Sequence, residues 1–262
     1  MGEMLGFDDD AAHRLEAAYN TPDIVAQRAS TLSMLSLVPG EHVLDVGVGP
    51  GILAAEIAAE VGATGRVCGI DVSDSMLTIA GARATRPHAA TLELTRGGAE
   101  DVPYDDRSFD AVVTTQVLEY VPDTPRALAE IHRVLKPGGR VLILDTDWDS
   151  LVWHSPDPQL MDRVLVAWEE HLAHPHLPRT LARSLARAGF KVNPPTVLPL
   201  LNTGNAHDGF SAILLDLVAT FVVDRNGLDR QTVDAWVASM RDLETDWFFS
   251  LNRYLFLATR EP

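Results

Sequence analysis

The stretch Val43–Ala58, "VLDVGVGPGILAAEIA", decides the fold. A short apolar run ending at Val46 meets an alanine-rich run from Ile52, and Gly47, Gly49 and Gly51 fill the join. The first run reads as a strand and the second as a helix. Glycines between them let the backbone turn sharply and come close to a ligand. Outward from this stretch, from about Glu41 to Asp147, short β-branched runs alternate with longer helical ones. That alternation signals βαβ units around a parallel sheet. Strands are expected at 42–47, 66–72, 90–97, 108–116 and 140–147. Ser73 or Asp74 is suited to cap the helix after the second strand, and Pro125 to open the one before "KPGG".

After Trp148 the pattern changes. Helices are expected at 160–171 and 180–188, with Gly189 as a stop, and strands at 195–203 and 252–260. About fifty residues separate those two strands, with helices near 207–221 and 229–245. Such an insertion is too long for a hairpin loop and reads as a lid or wall. The expected fold is α/β, a doubly wound, mostly parallel, seven-stranded, Rossmann-like sheet. Residues 1–40 would form an N-terminal helical cover and 41–150 the ligand-binding core. Residues 151–262 would complete that core, with the helical lid at about 204–247.

Composition narrows the function classes. With 37 acidic against 21 basic residues the formal charge is −16, which repels phosphate backbones and anionic membranes. The single cysteine, Cys68, excludes an internal disulfide and a multi-cysteine metal site. No basic segment precedes an apolar run at the N-terminus, and no apolar run approaches the ~18 residues of a membrane helix. A soluble, cytoplasmic protein with a small-molecule partner is expected, with no nucleic acid and no membrane; a homodimer is compatible with this. No metal site is expected either: the acidic run at 8–10 reads as a solvated face, and His174 and His176 beside prolines read as a turn.

Three ligands are held at glycine turns of this kind: a nucleoside triphosphate, a nicotinamide dinucleotide and S-adenosylmethionine (SAM). A phosphate-binding loop would need Lys-Ser/Thr after the glycines, and none is present. The dinucleotide fingerprint G-x-G-x-x-G has its third glycine where this chain has Ile52. Asp45, two residues before Gly47, is better placed beside an ammonium than a pyrophosphate. Asp71, ending the second strand, suits ribose hydroxyls, a role shared with NAD-binding folds.

In order, "VLDVGVGPG", "GIDVSDSML", "GGAEDVPYDDRSFDAVVTTQVLEYVPD" and "EIHRVLKPGGRVLILD" resemble the class I SAM-dependent methyltransferases. The likeness is to the small-molecule group that includes the ubiquinone and menaquinone methyltransferases, and it covers about residues 40–147. It implies SAM as cofactor, with Gly47, Gly49 and Gly51 close to its methionine and ribose and Asp45 ordering the turn. It further implies that Asp71 holds the ribose, Val72 and Met76 flank the adenine, Ala99 and Glu100 touch its edge, and Gln116 sits near the sulfonium. Many relatives have Asp at the position of Gly98 and His at that of Tyr120, so the adenine-edge bond is expected from Glu100 or the backbone.

The implied activity is methyl transfer to a small organic acceptor at C, N or O, a flat or aromatic metabolite of secondary or cofactor biosynthesis. The acceptor should lie at the carboxyl ends of the strands, beside the cofactor. Candidates to line it are Asn20, Asp147, Trp148 and His154, with Tyr19 and His207 as candidate catalytic groups. Trp148 and Trp153 would either stack the acceptor or anchor the lid. Two other enzyme classes stay open: a SAM-binding, non-methylating cyclase and an NAD-linked reductase.

Overall fold

The computed structural model describes residues 18–83, 89–204 and 209–261. Its first element, α1 (Pro22–Leu35), carries Pro22 in its opening turn, where no N–H is required. Strand β1 (His42–Val46) is followed by α2 (Ile52–Val61), β2 (Arg66–Asp71) and α3 (Asp74–Gly81). Ser73 caps α3 through its hydroxyl, which accepts from Met76 N at 3.4 Å. Then come β3 (Leu92–Arg96), β4 (Phe109–Thr115), α4 (Thr124–Val134) and β5 (Leu135–Thr146). Asp123 caps α4, accepting from Arg126 N at 3.0 Å. The remainder is β6 (Val152–Trp153), α5 (Pro158–Glu169), α6 (Pro178–Arg187), β7 (Phe190–Val192), β8 (Thr196–Thr203), α7 (Phe210–Phe221), α8 (Arg230–Arg241) and β9 (Phe248–Arg260).

All strands join one sheet in the order β3-β2-β1-β4-β5-β9-β6, with β7 and β8 also paired to β9. Strands β1 to β5 are parallel, and β9 runs antiparallel to β5. Ser250 of β9 pairs with both β6 and β8, so β6 extends the line of β5 and β8 flanks the other edge. Ala258 pairs likewise with β5 and β7. The nine strands therefore fill the seven expected positions.

Two strand starts lie four or more residues from the sequence reading. Strand β5 starts at Leu135, before "KPGG", because Leu135 already pairs with Phe109 across an irregularity in the ladder. Strand β9 starts at Phe248 because Trp153 and β8 supply partners there, which a local pattern cannot foresee.

Side-chain alternation on β5 divides the core, as expected for a strand covered on both faces. Val141 and Ile143 pack with Leu128 and Ile131 of α4 and with Leu181 and Leu185 of α6. Leu142 and Leu144 face Leu35 of α1 and Ala54 and Ile57 of α2. A third apolar cluster lies at the β9 end, where α5, α7 and α8 gather Trp153, Trp168, Phe221 and Trp236 over Phe249. Helix α1 touches this cluster through Ile24.

A polar clasp fixes α1 to the helical insertion. Asp23 Oδ2 accepts from Asn202 Nδ2 at 2.9 Å and from Phe210 N at 3.1 Å, and Asn202 Oδ1 accepts from Ser211 N at 2.9 Å. Phe210 and Ser211 open α7, so the clasp satisfies donors that the helix itself leaves free. Burial raises the Asp23 carboxyl, but the bonds from Thr21, Asn202, Phe210 and Ile24 outweigh it and hold it below the ordinary range. Because the folded pKa is depressed, this stabilisation is present above the unfolded value and fades as pH falls through the folded one. Asp23→Ala should therefore lower stability by ~1–3 kcal/mol at pH 7, the range for orphaned buried donors. Urea unfolding at pH 7 and pH 3 checks it: the loss should shrink in acid.

Candidate active site

Three residues with left-handed backbone build the turn after β1: Gly47 at φ +74°, Gly49 at +51° and Gly51 at +76°. Gly47 N and Val48 N both donate to Ile70 O, at 2.8 and 2.9 Å, which ties the turn to the tip of β2. A Cβ on Gly47 would fall 2.2 Å from Val117 Cγ2, so only glycine lets β1 and the β4 tip approach this closely. A Cβ on Gly51 would meet Ala80 Cβ at 2.8 Å and Cα at 3.1 Å, so this glycine serves the contact between α2 and α3.

Asp71 completes the turn. Its Oδ2 accepts from Gly49 N at 2.9 Å and its Oδ1 from Ser73 N at 2.9 Å. One carboxylate thus fastens the glycine turn to the start of α3. Each oxygen retains a lone pair, since a carboxylate offers about four acceptor positions.

These elements enclose a cavity of about 340 Å³ at the carboxyl ends of the parallel strands. Of the ten residues expected to hold the cofactor, Gly47, Gly49, Asp71, Val72, Met76, Ala99, Glu100 and Gln116 line it. Gly51 and Asp45 do not. Asp45 lies behind the turn, on a small adjoining pocket that also involves Gln27 and Thr115. Tyr19 lines both spaces and stands between them. Burial pushes its hydroxyl up to about 12, so it keeps its proton at neutral pH.

Gln116 is held by the tip of β5. Its N–H donates to Leu144 O at 2.7 Å, and its Oε1 accepts from the Thr146 hydroxyl at 2.7 Å. It has φ +56°, an uncommon conformation for a side chain of this size. Its Nε2 has no partner among the described residues.

The expected acceptor residues are placed elsewhere. Asn20 is exposed and lines neither pocket, and His154 is exposed, with its N–H on Phe248 O at 2.9 Å. Trp148 turns its indole N–H to Glu119 Oε2 at 3.2 Å and packs edge-on against Trp168, so it anchors the helical layer. Trp153 does the same against Trp236, Trp247 and Phe249. Asp147 is taken up by Arg179, at 2.8 and 3.0 Å. Arg179 also reaches Asp149 at 2.6 Å, so its guanidinium balances the cluster of Asp147, Asp149 and His176. His207 and the acidic run at 8–10 lie outside the described residues.

Sequence reasoning missed a set of buried polar groups beyond Gln116. Glu119 is 1% exposed; its Oε2 accepts from Thr146 N at 3.3 Å and from Trp148, while Oε1 has no described partner. Burial raises it to about 7, opposed by Arg253 and by its own hydrogen bonds. Asp145, fully buried on β5, is held well above the ordinary carboxylate range by burial and then by Glu119. Arg253 on β9 is 4% exposed. The signal in the sequence was a charge inside an apolar run: Glu119 in "QVLEYV", Asp145 in "LILDT" and Arg253 in "NRYLFLA".

Comparison with known proteins agrees with this architecture. Residues 44–143 match the methyltransferase domain family. Over these residues the chain is similar to SAM-dependent methyltransferases. The chain is 37% identical, over 73% of its length, to a transposon-encoded 37.1 kDa protein of Streptomyces fradiae, of which it covers 54%. It is 43% identical over 41% of its length to a demethylmenaquinone methyltransferase of Symbiobacterium thermophilum, covering 43% of that protein. The chain thus spans about half the length of the curated relatives it matches. Among solved structures, phosphoethanolamine N-methyltransferase 2 of Haemonchus contortus has the same fold, with a TM-score of 0.63 at 21% identity. That alignment covers 97% of this chain and 58% of the other.

Asp45 offers a test of the site's electrostatics. It is 2% exposed, and burial, with Asp71 adding to it, raises its carboxyl to about 7. A raised carboxyl binds its proton more tightly in the folded chain, so its contribution to folding falls as pH climbs from about 3.9, the unfolded value, toward the folded one. Asp45→Asn should thus gain stability relative to the wild type between pH 5 and pH 8. Urea unfolding of both proteins at the two pH values measures this; an unchanged difference would mean the carboxylate is solvated.

Proposed function

We propose that this protein transfers a methyl group from SAM to a small, flat organic acceptor, at carbon, nitrogen or oxygen. The observation that carries the reading is the cavity itself. Its floor is the glycine turn, Asp71 stands at one rim, and the amide nitrogen of Gln116, without a partner among the described residues, belongs to the β4 tip. These residues fit SAM. Gly49 offers open backbone, with no atom within 4 Å of the place a Cβ would take. Asp71 has acceptor capacity for ribose hydroxyls, and Val72 and Met76 supply an apolar slot for adenine. When bound, SAM supplies a methyl group activated by its sulfonium.

The residues of this chain would then act by positioning. Asp71 and the glycine turn fix the ribose side, and Gln116, braced by Thr146, fixes the methionine side. Tyr19 would close the cavity and keep water from the reacting atoms. We place the acceptor between Tyr19, Gln116 and the helical layer of α7 and α8, which acts as its wall. The net charge of −16 supports a small acceptor over nucleic acid, and we assign the enzyme to the cytoplasm. Among the described residues, no helix is long and apolar enough to cross a membrane. The quinone methyltransferases among the relatives favour a hydroxylated aromatic ring as acceptor.

Incubation with methyl-labelled SAM and a panel of flat aromatic acceptors tests the reading. Label should appear in an acceptor, and conversion of an acceptor without label would exclude methyl transfer. Asp71→Ala should weaken SAM binding by ~1–3 kcal/mol in calorimetry, the range for hydrogen bonds to a charged group. Unchanged affinity would remove Asp71 from the ribose site.

A further inference from the structure

Arg253 is a buried cation with little to hold it. Its side chain leaves the middle of β9, opposite Thr146 of β5, and the residue is only 4% exposed. Nη1 donates to Gln27 Oε1 at 2.6 Å, and the guanidinium lies 4.7 Å from the centre of the Phe210 ring. Nε has no hydrogen-bond partner among the described residues, and no described carboxylate lies within 4 Å of the group. Every other arginine that pairs with an acid in the described residues is more exposed than this one. A guanidinium carries five donors, and leaving them unmet away from water is costly.

The surroundings explain the placement. Gln116, Thr146 and Arg253 follow one another from the tips of β4 and β5 to the middle of β9, and Gln116 lines the cofactor cavity. Arg253 therefore lies two strand positions beyond Gln116 from the glycine turn. Gln27 comes from α1 and Phe210 from the first turn of α7, so the cation is framed by both elements that flank the proposed acceptor space. The acids nearest in effect, Glu119 and Asp23, have other partners: Glu119 holds Thr146 and Trp148, and Asp23 holds Asn202 and Phe210.

We propose that Arg253 is a specificity-determining residue that receives an anionic oxygen, a carboxylate or an ionised hydroxyl, of the methyl acceptor. The proposal rests on the reading of this cavity as a SAM-dependent methyl-transfer site. A bound oxyanion would meet Nε, which has no partner among the described residues, and give a directly bonded counter-charge to a cation that no described carboxylate pairs within 4 Å. The aromatic ring of Phe210 and the amide of Gln27 fix the guanidinium plane, so the donors are oriented before binding. Neutral acceptors of the same shape would leave those donors unmet and bind less well.

The test uses the full chain saturated with S-adenosylhomocysteine, the demethylated product of SAM, with 2-naphthoate and its neutral isostere 2-naphthamide as probes. Calorimetry should give naphthoate at least a ~10-fold tighter Kd, the size of one hydrogen bond to a charged group. Arg253→Met should reduce that preference to about twofold or less, with affinity for S-adenosylhomocysteine unchanged. Arg253→Lys, which keeps the charge without the fork, should retain part of the preference and covers the case in which the Met variant does not fold. Equal binding of the probes, binding of neither, or a preference that survives Arg253→Met overturns the proposal. So does a loss of S-adenosylhomocysteine affinity in either variant without a probe preference, which would assign Arg253 to the carboxylate of the cofactor. Failure of the wild-type protein to bind S-adenosylhomocysteine is a separate result, and it overturns the cofactor reading instead.

Discussion

Everything at the functional end of this molecule depends on how closely the tips of β1, β2 and β4 approach one another. Gly47 lies against Val117 with no room for a Cβ, its N–H is bonded to Ile70, and Gly49 N is bonded to Asp71. A side chain at position 47 would drive the β4 tip away and move Gln116 with it. The left-handed backbone at these glycines is thus a packing requirement as well as a conformational one. It turns the end of a buried parallel sheet into a cavity with exposed backbone on its floor.

Charge is distributed in the same region by burial. Asp45, Glu119 and Asp145 are sealed between strand tips and helices, and each is pushed toward its neutral form. Desolvation penalises the ionised carboxyl more than a protein surface would. A chain with a large negative net charge therefore presents a far less negative interior where its ligands would bind. Arg253 is the one buried arginine among the described residues, which makes its sparse hydrogen bonding more consequential.

The helical layer is secured by two kinds of contact. Apolar packing of Trp153, Trp168, Phe221 and Trp236 supplies the bulk of it, and aromatic rings there meet edge to face. The Asp23–Asn202 clasp supplies direction, because its hydrogen bonds tie α1 to the first turn of α7. Position of the insertion, and hence the shape of the proposed acceptor space, follows from both.

Local sequence determined much of this protein. The strand–glycine–helix join at 43–58, the alternation through residue 147, Asp71 at a strand end and the Ser73 cap were legible, because they depend on neighbours within a few residues. Eight of the ten residues expected to hold the cofactor line one cavity, while Gly51 packs on Ala80 and Asp45 lies behind the turn. Tertiary structure alone decided the rest. Trp148 and Asp147 look exposed to a ligand in sequence, yet Glu119 and Arg179, distant along the chain, claim them. Arg253 and Gln27 are 226 positions apart, and no local pattern links them. Hydrogen bonds and desolvation act through space at a few ångströms, so which polar groups are satisfied, and which are left for a ligand, is settled only when the sheet brings its strand tips together.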